Sequence, residues 1–330
     1  MTTPGELGPG TADERLSRGA PGGCRVAVIA HRKKTLGGGL AELRASLADY
    51  GIHAPLWHEM EKSREAPALA RQAIADGAKL LFIWGGDGTV QRCLDAVAGQ
   101  DVTLAIVPAG TANLLAVNLG IPNDVPSAVR IGLFGDRRVL DVGVLNGKRF
   151  GVMAGVGFDA HMMQIADGEL KDRYGQLAYV WAAIRSTRIP SRMVTIDIDG
   201  SAWFRGRASG ILLGQMGTLT GGLVAFPDAS PDDGQLEVAV IMAERAIEWV
   251  RILVRLIVGH PERSTLTRTT RGSTVDITLD RSTPYELDGG ARKPKKRLRA
   301  SVETGAITVS VPNALTTSRR GVRPSPPPGH

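Results

Sequence analysis

Gly85-Gly86-Asp87-Gly88-Thr89 is the segment best suited to hold an anion. It follows an apolar run and opens a stretch of helical spacing. Glycines let backbone N–H groups approach a ligand without interference from Cβ. The first turn of a helix adds unpaired N–H groups and the positive end of its dipole. Thr89 can cap that helix or touch a phosphate. Asp87 is chemically odd there, because a carboxylate repels phosphate. It fits if Mg²⁺ lies between the two, or if it contacts a hydroxyl. A tight strand-to-helix turn with a solvent-facing Asp explains the same residues, and for one isolated turn that is the better explanation.

A second turn shifts the balance. Pro108-Ala109-Gly110-Thr111-Ala112-Asn113 also follows an apolar run and opens a helix, one strand-helix unit later. Gly110 frees the backbone, and Thr111 and Asn113 offer neutral donors and acceptors suited to phosphate or ribose. The earlier turn, His31 to Gly39, sets Arg32, Lys33 and Lys34 beside a glycine run. Three such turns at one edge of a parallel sheet suggest a polyphosphate cradle, with Lys33 as a cation within it. None contains a Gly-Lys-Ser/Thr or a Gly-x-Gly-x-x-Gly pattern.

The elements that must position these turns alternate. Strands are expected at Arg25–Ala30, Ala54–Trp57, Lys79–Trp84 and Thr103–Val107. Helices are expected at Leu40–Tyr50, Ala66–Asp76, Thr89–Ala98, Ala112–Leu119 and Val125–Phe134, most of them stopped by glycine. The alternation predicts parallel βαβ units in an open α/β sheet over 24–137. From 138 to 313 the texture becomes β-rich and antiparallel. Val139–Leu145 and Arg149–Val156 flank Asn146-Gly147, a strong hairpin signal because both turn residues accept positive φ. Met193–Asp199 and Ala202–Arg207 flank Gly200 similarly. Ile211–Met216, Leu236–Met242, Val275–Leu279 and Ile307–Val311 are further strands, with helices at Tyr174–Arg185 and Arg245–Val258. The expected fold is therefore an N-terminal open α/β nucleotide-binding domain and a β-rich, sandwich-like domain, with a ligand cleft between them. The later strands have the option of returning to the first domain. Segments 1–23 and 314–330 read as flexible tails.

The 330 residues carry a formal charge of +7, which favours anionic partners such as nucleotides or an acidic membrane surface. Aromatics are only 5% and do not interleave with the basic run, so nucleic acid is the weaker reading. Cys24 and Cys93 are too few for a disulfide framework or a zinc cage and read as reduced thiols in the cytosol. Ala246–Gly259 is too short for a bilayer span of about 20 apolar residues. Glu248, Arg251 and Arg255 interrupt it at helical spacing, which makes it amphipathic. His31, His58 and His161 lack a metal-like spacing.

The ordered motifs resemble the diacylglycerol kinase catalytic-domain family, which includes bacterial lipid kinases and sphingosine kinases. They comprise the two glycine turns, Leu119-Gly120-Ile121-Pro122, Gly157-Phe158-Asp159-Ala160, and Leu170-Lys171 before Tyr174-Gly175. Asp228 to Gly234 and Asp288-Gly289 complete the set, which spans about Cys24 to Asn313. NAD kinases share the glycine-Asp-glycine turn but not the later motifs. The resemblance implies ATP on Gly86, Asp87, Gly88, Thr89 and Thr111, to which the glycine turns themselves add Gly85, Gly110, Asn113 and Lys33 as nucleotide-binding candidates. It also implies Mg²⁺ held by Asp233 with backbone oxygens of Ser230 and Gln235, hard ligands that suit the ion. The implied activity is transfer of the γ-phosphate to a lipid hydroxyl, such as that of diacylglycerol or a sphingoid-like lipid, in the cytoplasm and at times on the inner membrane face.

Three positions depart from that family. His31-Arg32 replaces Asn-Pro in the first turn. Gln91-Arg92 replaces Asn-Glu after the second. Asp288-Gly289-Gly290 replaces Asp-Gly-Glu, whose Glu is the family's proposed general base. Asp288 is then the nearest replacement base and Glu286 a weaker one, while Asp167-Gly168-Glu169 lies in a different region. A base contributes ~10²–10⁴-fold, less than positioning and charge neutralisation in phosphoryl transfer. The alternatives are a catalytically impaired nucleotide- or lipid-binding homologue, or NAD kinase-like phosphorylation of a soluble hydroxyl. Arg292, Lys293, Lys295, Lys296, Arg297 and Arg299 form either a solvated face or an attractor for phosphate or anionic lipid. Near an anionic membrane each basic residue contributes about 1 kcal/mol.

Overall fold

Apolar strands buried on both faces need helices above and below them, and the first half of the chain supplies both. The computed structural model describes residues 24–157, 191–258 and 264–317. The expected helix Tyr174–Arg185, His161, the motif residues between 158 and 175, and nearly all of both tails lie outside these. The parallel strands are β1 (Val26–His31), β2 (Leu56–Met60), β3 (Leu80–Gly85) and β4 (Thr103–Pro108). They lie in the order β2-β1-β3-β4. The helices are α1 (Gly39–Ala48), α2 (Ala66–Ala75), α3 (Asp87–Val97), α4 (Leu114–Asn118) and α5 (Val125–Phe134). α1 packs with α5 and α2 with α3, so two helix pairs cover the sheet. Phe82 and Trp84 on β3 are fully buried at its centre.

The β-rich half begins with β5 (Asp136–Leu145), β6 (Lys148–Phe150) and β7 (Met153–Val156). It continues with β8 (Arg192–Ile198), β9 (Ser201–Ala208), β10 (Gly210–Gly214) and β11 (Leu236–Ile241). Helix α6 (Ala246–Val258) then precedes β12 (Thr267–Gly272), β13 (Thr274–Leu287) and β14 (Gly290–Val311). Asn146-Gly147 and Asp199-Gly200 adopt positive φ at both positions and close the β5–β6 and β8–β9 hairpins, as their residue types require. A second apolar core, with Phe150, Ile196 and Leu213, lies under these strands.

Two strands are much longer than the sequence suggests. β13 runs for 14 residues and β14 for 22. Their middle parts are exposed and charged, with register shifts between Thr278 and Tyr285, so they show no two-residue apolar period. The basic run Arg292–Arg299 therefore lies on a strand. β14 also joins the halves: it pairs with β13 and β5, and through Thr308 and Val309 with β4. No described helix is long and apolar enough to cross a membrane.

Candidate functional site

The glycine turns meet because Gly85 on β3 pairs with Pro108 on β4. Just beyond, Gly86 and Gly110 press backbone against backbone. A Cβ on Gly110 would lie 2.4 Å from Gly86 Cα, and one on Gly86 would lie 3.0 Å from Gly110 Cα. Neither position has room for a side chain. Asn113 sits at φ 48, a left-handed backbone that Asn tolerates. Its Oδ1 accepts from the Gly110 N–H at 2.9 Å, and its Nδ2 donates to the carbonyls of Pro108 and Gly110. The side chain thus closes the turn, and helix α4 starts two residues later than expected, at Leu114.

Asp87 has a structural duty that its sequence context does not reveal. Its Oδ1 accepts from the Leu114 N–H at 2.5 Å, so it caps the helix of the sister turn. This ties one glycine turn to the other. Helix α3 begins at Asp87, so Thr89 lies inside its first turn and does not cap it. Thr89 is 1% exposed, and its hydroxyl lies 3.1 Å from Ser63 Oγ, from the 3-10 turn Ser63–Glu65. In the first turn, the Trp84 indole N–H donates to the Lys34 carbonyl at 3.0 Å. Lys33 Nζ is exposed and 3.9 Å from Glu61. His31 Nδ1 accepts from the Lys33 N–H, and burial together with Lys34 lowers the imidazole's pKa. All three turns stand at one sheet edge, because β1, β3 and β4 run parallel.

The Asp288-Gly289 pair is a two-residue hairpin turn, with φ of 44 and 76, closed by the Leu287–Gly290 pair. The Asp288 carboxylate points inward and accepts three successive backbone N–H groups. Gly151 donates at 2.7 Å, and Val152 and Met153 at 2.9 Å each. Those donors explain why the expected strand Arg149–Val156 is broken between β6 and β7: the break turns three amides toward one anion. Burial pushes the Asp288 pKa up to about 6 against the pull of these hydrogen bonds, and the Asp87 charge adds to the rise. Oδ1 takes two donors and Oδ2 one, which leaves Oδ2 one acceptor position. Glu286 lies within β13, paired with Ala291.

Gln91, one helical turn beyond Asp87, is 2% exposed. Its Nε2 donates to the Arg149 carbonyl at 2.6 Å, and its Oε1 accepts from Arg292 Nη2 at 2.8 Å. Arg149 holds Glu303 through two bonds, at 2.7 and 3.0 Å, which raise its own pKa. Helix α3 is thereby fastened to β6 and β14. Beside the sister turn lies a cavity of about 270 Å³ lined in part by Thr111, Leu114, Val117, Ile121 and Leu219.

Residues 25–145 match the family model described as the diacylglycerol kinase catalytic domain, and residues 152–311 match the YegS C-terminal NAD kinase beta sandwich-like domain. The chain belongs to the diacylglycerol kinase catalytic-domain family. A probable lipid kinase YegS-like of Pseudomonas aeruginosa is 29% identical over 87% of this chain and 94% of its own length. A diacylglycerol kinase of Mycobacterium tuberculosis is also 29% identical, over 65% of this chain and 72% of its own. The crystal structure of a putative diacylglycerol kinase from Bacillus anthracis superposes with a TM-score of 0.73 at 21% identity. It covers 88% of this chain and 98% of that one, which shows that the fold is shared.

In this family member the acidic loop is braced by a residue that the sequence did not single out. Asp141 on β5 accepts from the Gly234 N–H at 2.8 Å and from the Gly305 N–H at 2.7 Å, and its own N–H donates to the Pro231 carbonyl. Within the loop, Asp233 Oδ1 accepts from the Gln235 N–H, and Ser230 Oγ donates to Asp232. Ser230 and Arg138 together hold the Asp232 pKa down. Among the described residues no three His, Cys, Asp or Glu side chains converge as a metal cluster. The donors expected for Mg²⁺ are thus one carboxylate, Asp233, and two carbonyls. They are hard oxygen ligands that fit the ion and leave three of its six positions to water. Ser63, Asp141 and the Arg149–Glu303 pair escaped the sequence reading. Asp288-Gly289 carried a turn signal of the Asp-Gly kind that would have located the hairpin.

Proposed function

We propose that this protein is an ATP-dependent lipid kinase, which transfers the γ-phosphate of ATP to the hydroxyl of diacylglycerol or a sphingoid-like lipid. The observation that carries the reading is the contact of Gly86 on Gly110, which sets two amide-rich turns side by side in a chain of this family. The phosphates rest on the first turn of α3 beside the Gly88 N–H, the Thr89 and Val90 N–H groups being taken by the Gly86 carbonyl at 2.9 and 3.1 Å. Gly88 and Thr111 face the nucleotide around that contact, Gly85 lies buried against the Thr89 side chain and leaves room for it, and Lys33 supplies positive charge at the outer turn. Asn113 and Thr89 support the site from behind. The cavity beside Thr111 takes the part of a ligand beyond the phosphates. Asp233, with the carbonyls of Ser230 and Gln235, would hold Mg²⁺, which when bound supplies charge neutralisation to a loop that Asp141 holds in place.

In the transfer step the lipid hydroxyl oxygen forms a bond to the γ-phosphorus as the bond to the bridging oxygen breaks. ADP leaves with that electron pair. The hydroxyl proton passes to Asp288 Oδ2, which has an acceptor position left and is ionised at neutral pH with a pKa of about 6. Asp87 orients the hydroxyl while it holds α4. The lipid is met at an anionic membrane surface. Helix α6 supports this with exposed Ile247 and Val254 and with exposed Arg251 between them on the same face.

The assay supplies labelled ATP with vesicles of diacylglycerol or sphingoid base. Transfer to lipid well above the Asp87→Ala level is expected. Nucleotide binding without transfer identifies an impaired homologue, and transfer to NAD without lipid identifies a soluble acceptor; either result removes the lipid-kinase reading.

A further inference from the structure

Gly290 and Arg292 occupy one space. A Cβ on Gly290 would lie 2.9 Å from Arg292 Nη1 and 3.1 Å from the Leu287 carbonyl. The guanidinium is folded back over its own hairpin: Nη1 donates to the carbonyls of Gly290 and Ala291 at 3.0 and 3.1 Å. Nη2 donates to the buried Gln91 Oε1, which the Arg149 carbonyl keeps in one amide orientation. A guanidinium has five N–H donors. The Nε–H and one Nη2–H of Arg292 have no acceptor among the described residues. No described carboxylate lies within ion-pairing distance of it. Burial, and Arg92 nearby, depress its pKa against the opposing pull of Tyr285, Asp288 and Asp95.

A half-buried, immobilised cation with two spare donors and no paired carboxylate is complementary to an oxyanion. Its support, Gln91, stands one turn along α3 from Asp87, so the backbone that carries this support lies about 6 Å along the helix axis from the glycine turn. Asp87 and Asp288 both lie near the same end of that helix. A phosphate at the turn therefore has a donor fork on the β13–β14 side as well as the amides of α3.

We propose that Arg292 is a phosphate-binding residue that takes the terminal phosphate of the nucleoside triphosphate, and that a glycine at 290 is what lets its guanidinium reach that position. This rests on the nucleotide reading of the glycine turns. On this view a residue without a side chain at 290 is part of the site's construction. Gly290→Glu would set a carboxylate against the guanidinium and cancel the charge that the phosphate needs.

The test measures the affinity of the full-length protein for Mg-ATP and for Mg-ADP by calorimetry, in wild type, Arg292→Met, Arg292→Lys and Gly290→Glu, with thermal melting of each. Expected for Arg292→Met is a loss of about tenfold or more for ATP, with ADP changed little. Arg292→Lys, which keeps the charge and loses the fork, falls between and serves if the Met variant does not fold. Gly290→Glu weakens ATP, and adding Arg292→Met to it produces little further loss. Equal losses for ATP and ADP, or a lowered melting temperature with both affinities intact, would show a fastening between halves and overturn the proposal. Wild-type protein that binds neither nucleotide overturns the underlying nucleotide reading instead, so the two failures are distinct.

Discussion

Gly88→Ala and Gly110→Ala are the same chemical change in two sister turns, and they should have opposite effects. Gly88 is the second residue of α3, and a Cβ built on it meets nothing within 4 Å. Alanine there lowers the backbone entropy lost on folding and favours the helix by up to about 1 kcal/mol. The melting temperature should stay level or rise. The same methyl group stands where a phosphate would approach the helix N-terminus. Losing one N–H contact to a charged ligand costs ~1.5–3 kcal/mol, which is at least tenfold in Kd for Mg-ATP. At Gly110 the new Cβ would sit 2.4 Å from Gly86 Cα, against an ordinary carbon–carbon contact of about 3.5–4.0 Å. The turns must part by more than an ångström, a strain of ~1–3 kcal/mol. That variant should lose both stability and nucleotide. Thermal melts and calorimetric titration of the two proteins decide the matter. Wild-type affinity in Gly88→Ala would mean that no phosphate rests on that helix, and an unshifted melt in Gly110→Ala would refute the close packing.

Asp288→Asn tests the buried carboxylate. Its pKa rises from an ordinary 3.8 to about 6 on folding, so between those values the native protein holds a proton that the unfolded chain releases. The resulting stability is complete below pH ~4 and lost as pH rises through ~6, about 3 kcal/mol in all. Urea melts across this window should lose that slope in the Asn variant, and an unchanged slope refutes it. Asn113→Ala removes three bonds that close a left-handed turn. It should cost ~2–4 kcal/mol, read by chemical denaturation; a loss below ~0.5 kcal/mol would show that the turn holds itself. Asp141→Ala frees the Gly234 and Gly305 amides. It should raise the Mg²⁺ concentration needed for half-maximal phosphotransfer by severalfold, and an unaltered requirement would separate the acidic loop from the metal.

The strand-helix alternation was legible because glycines at Gly51, Gly77, Gly120 and Gly135 stop the helices, and β1 and β3 are uninterrupted apolar runs. Legible too was the likeness of the glycine turns, since both depend on residues without side chains. What Asp87 and Asp288 do was not. Their partners are backbone amides of Leu114 and of Gly151 to Met153, and an amide donor is common to every residue but proline. No residue type marks such a partner, and sequence distance hides it: Asp288 lies 137 positions from Gly151. The long strands escaped for another reason. A hairpin arm whose middle is solvated shows no apolar period to read, so β14 looked like a charge run followed by a short strand.

That strand also sets an order on the chain's birth. β4 borders the parallel sheet, and its neighbour at Thr308 and Val309 is made some two hundred residues later. Until the ribosome delivers those residues, a nearly complete α/β layer carries an open strand edge, with its unpaired amides able to capture other chains. Closing so long a loop is entropically slow. Truncation before Thr308 should therefore yield protein that aggregates while its first half is largely formed, and cells would need to guard that edge through most of translation.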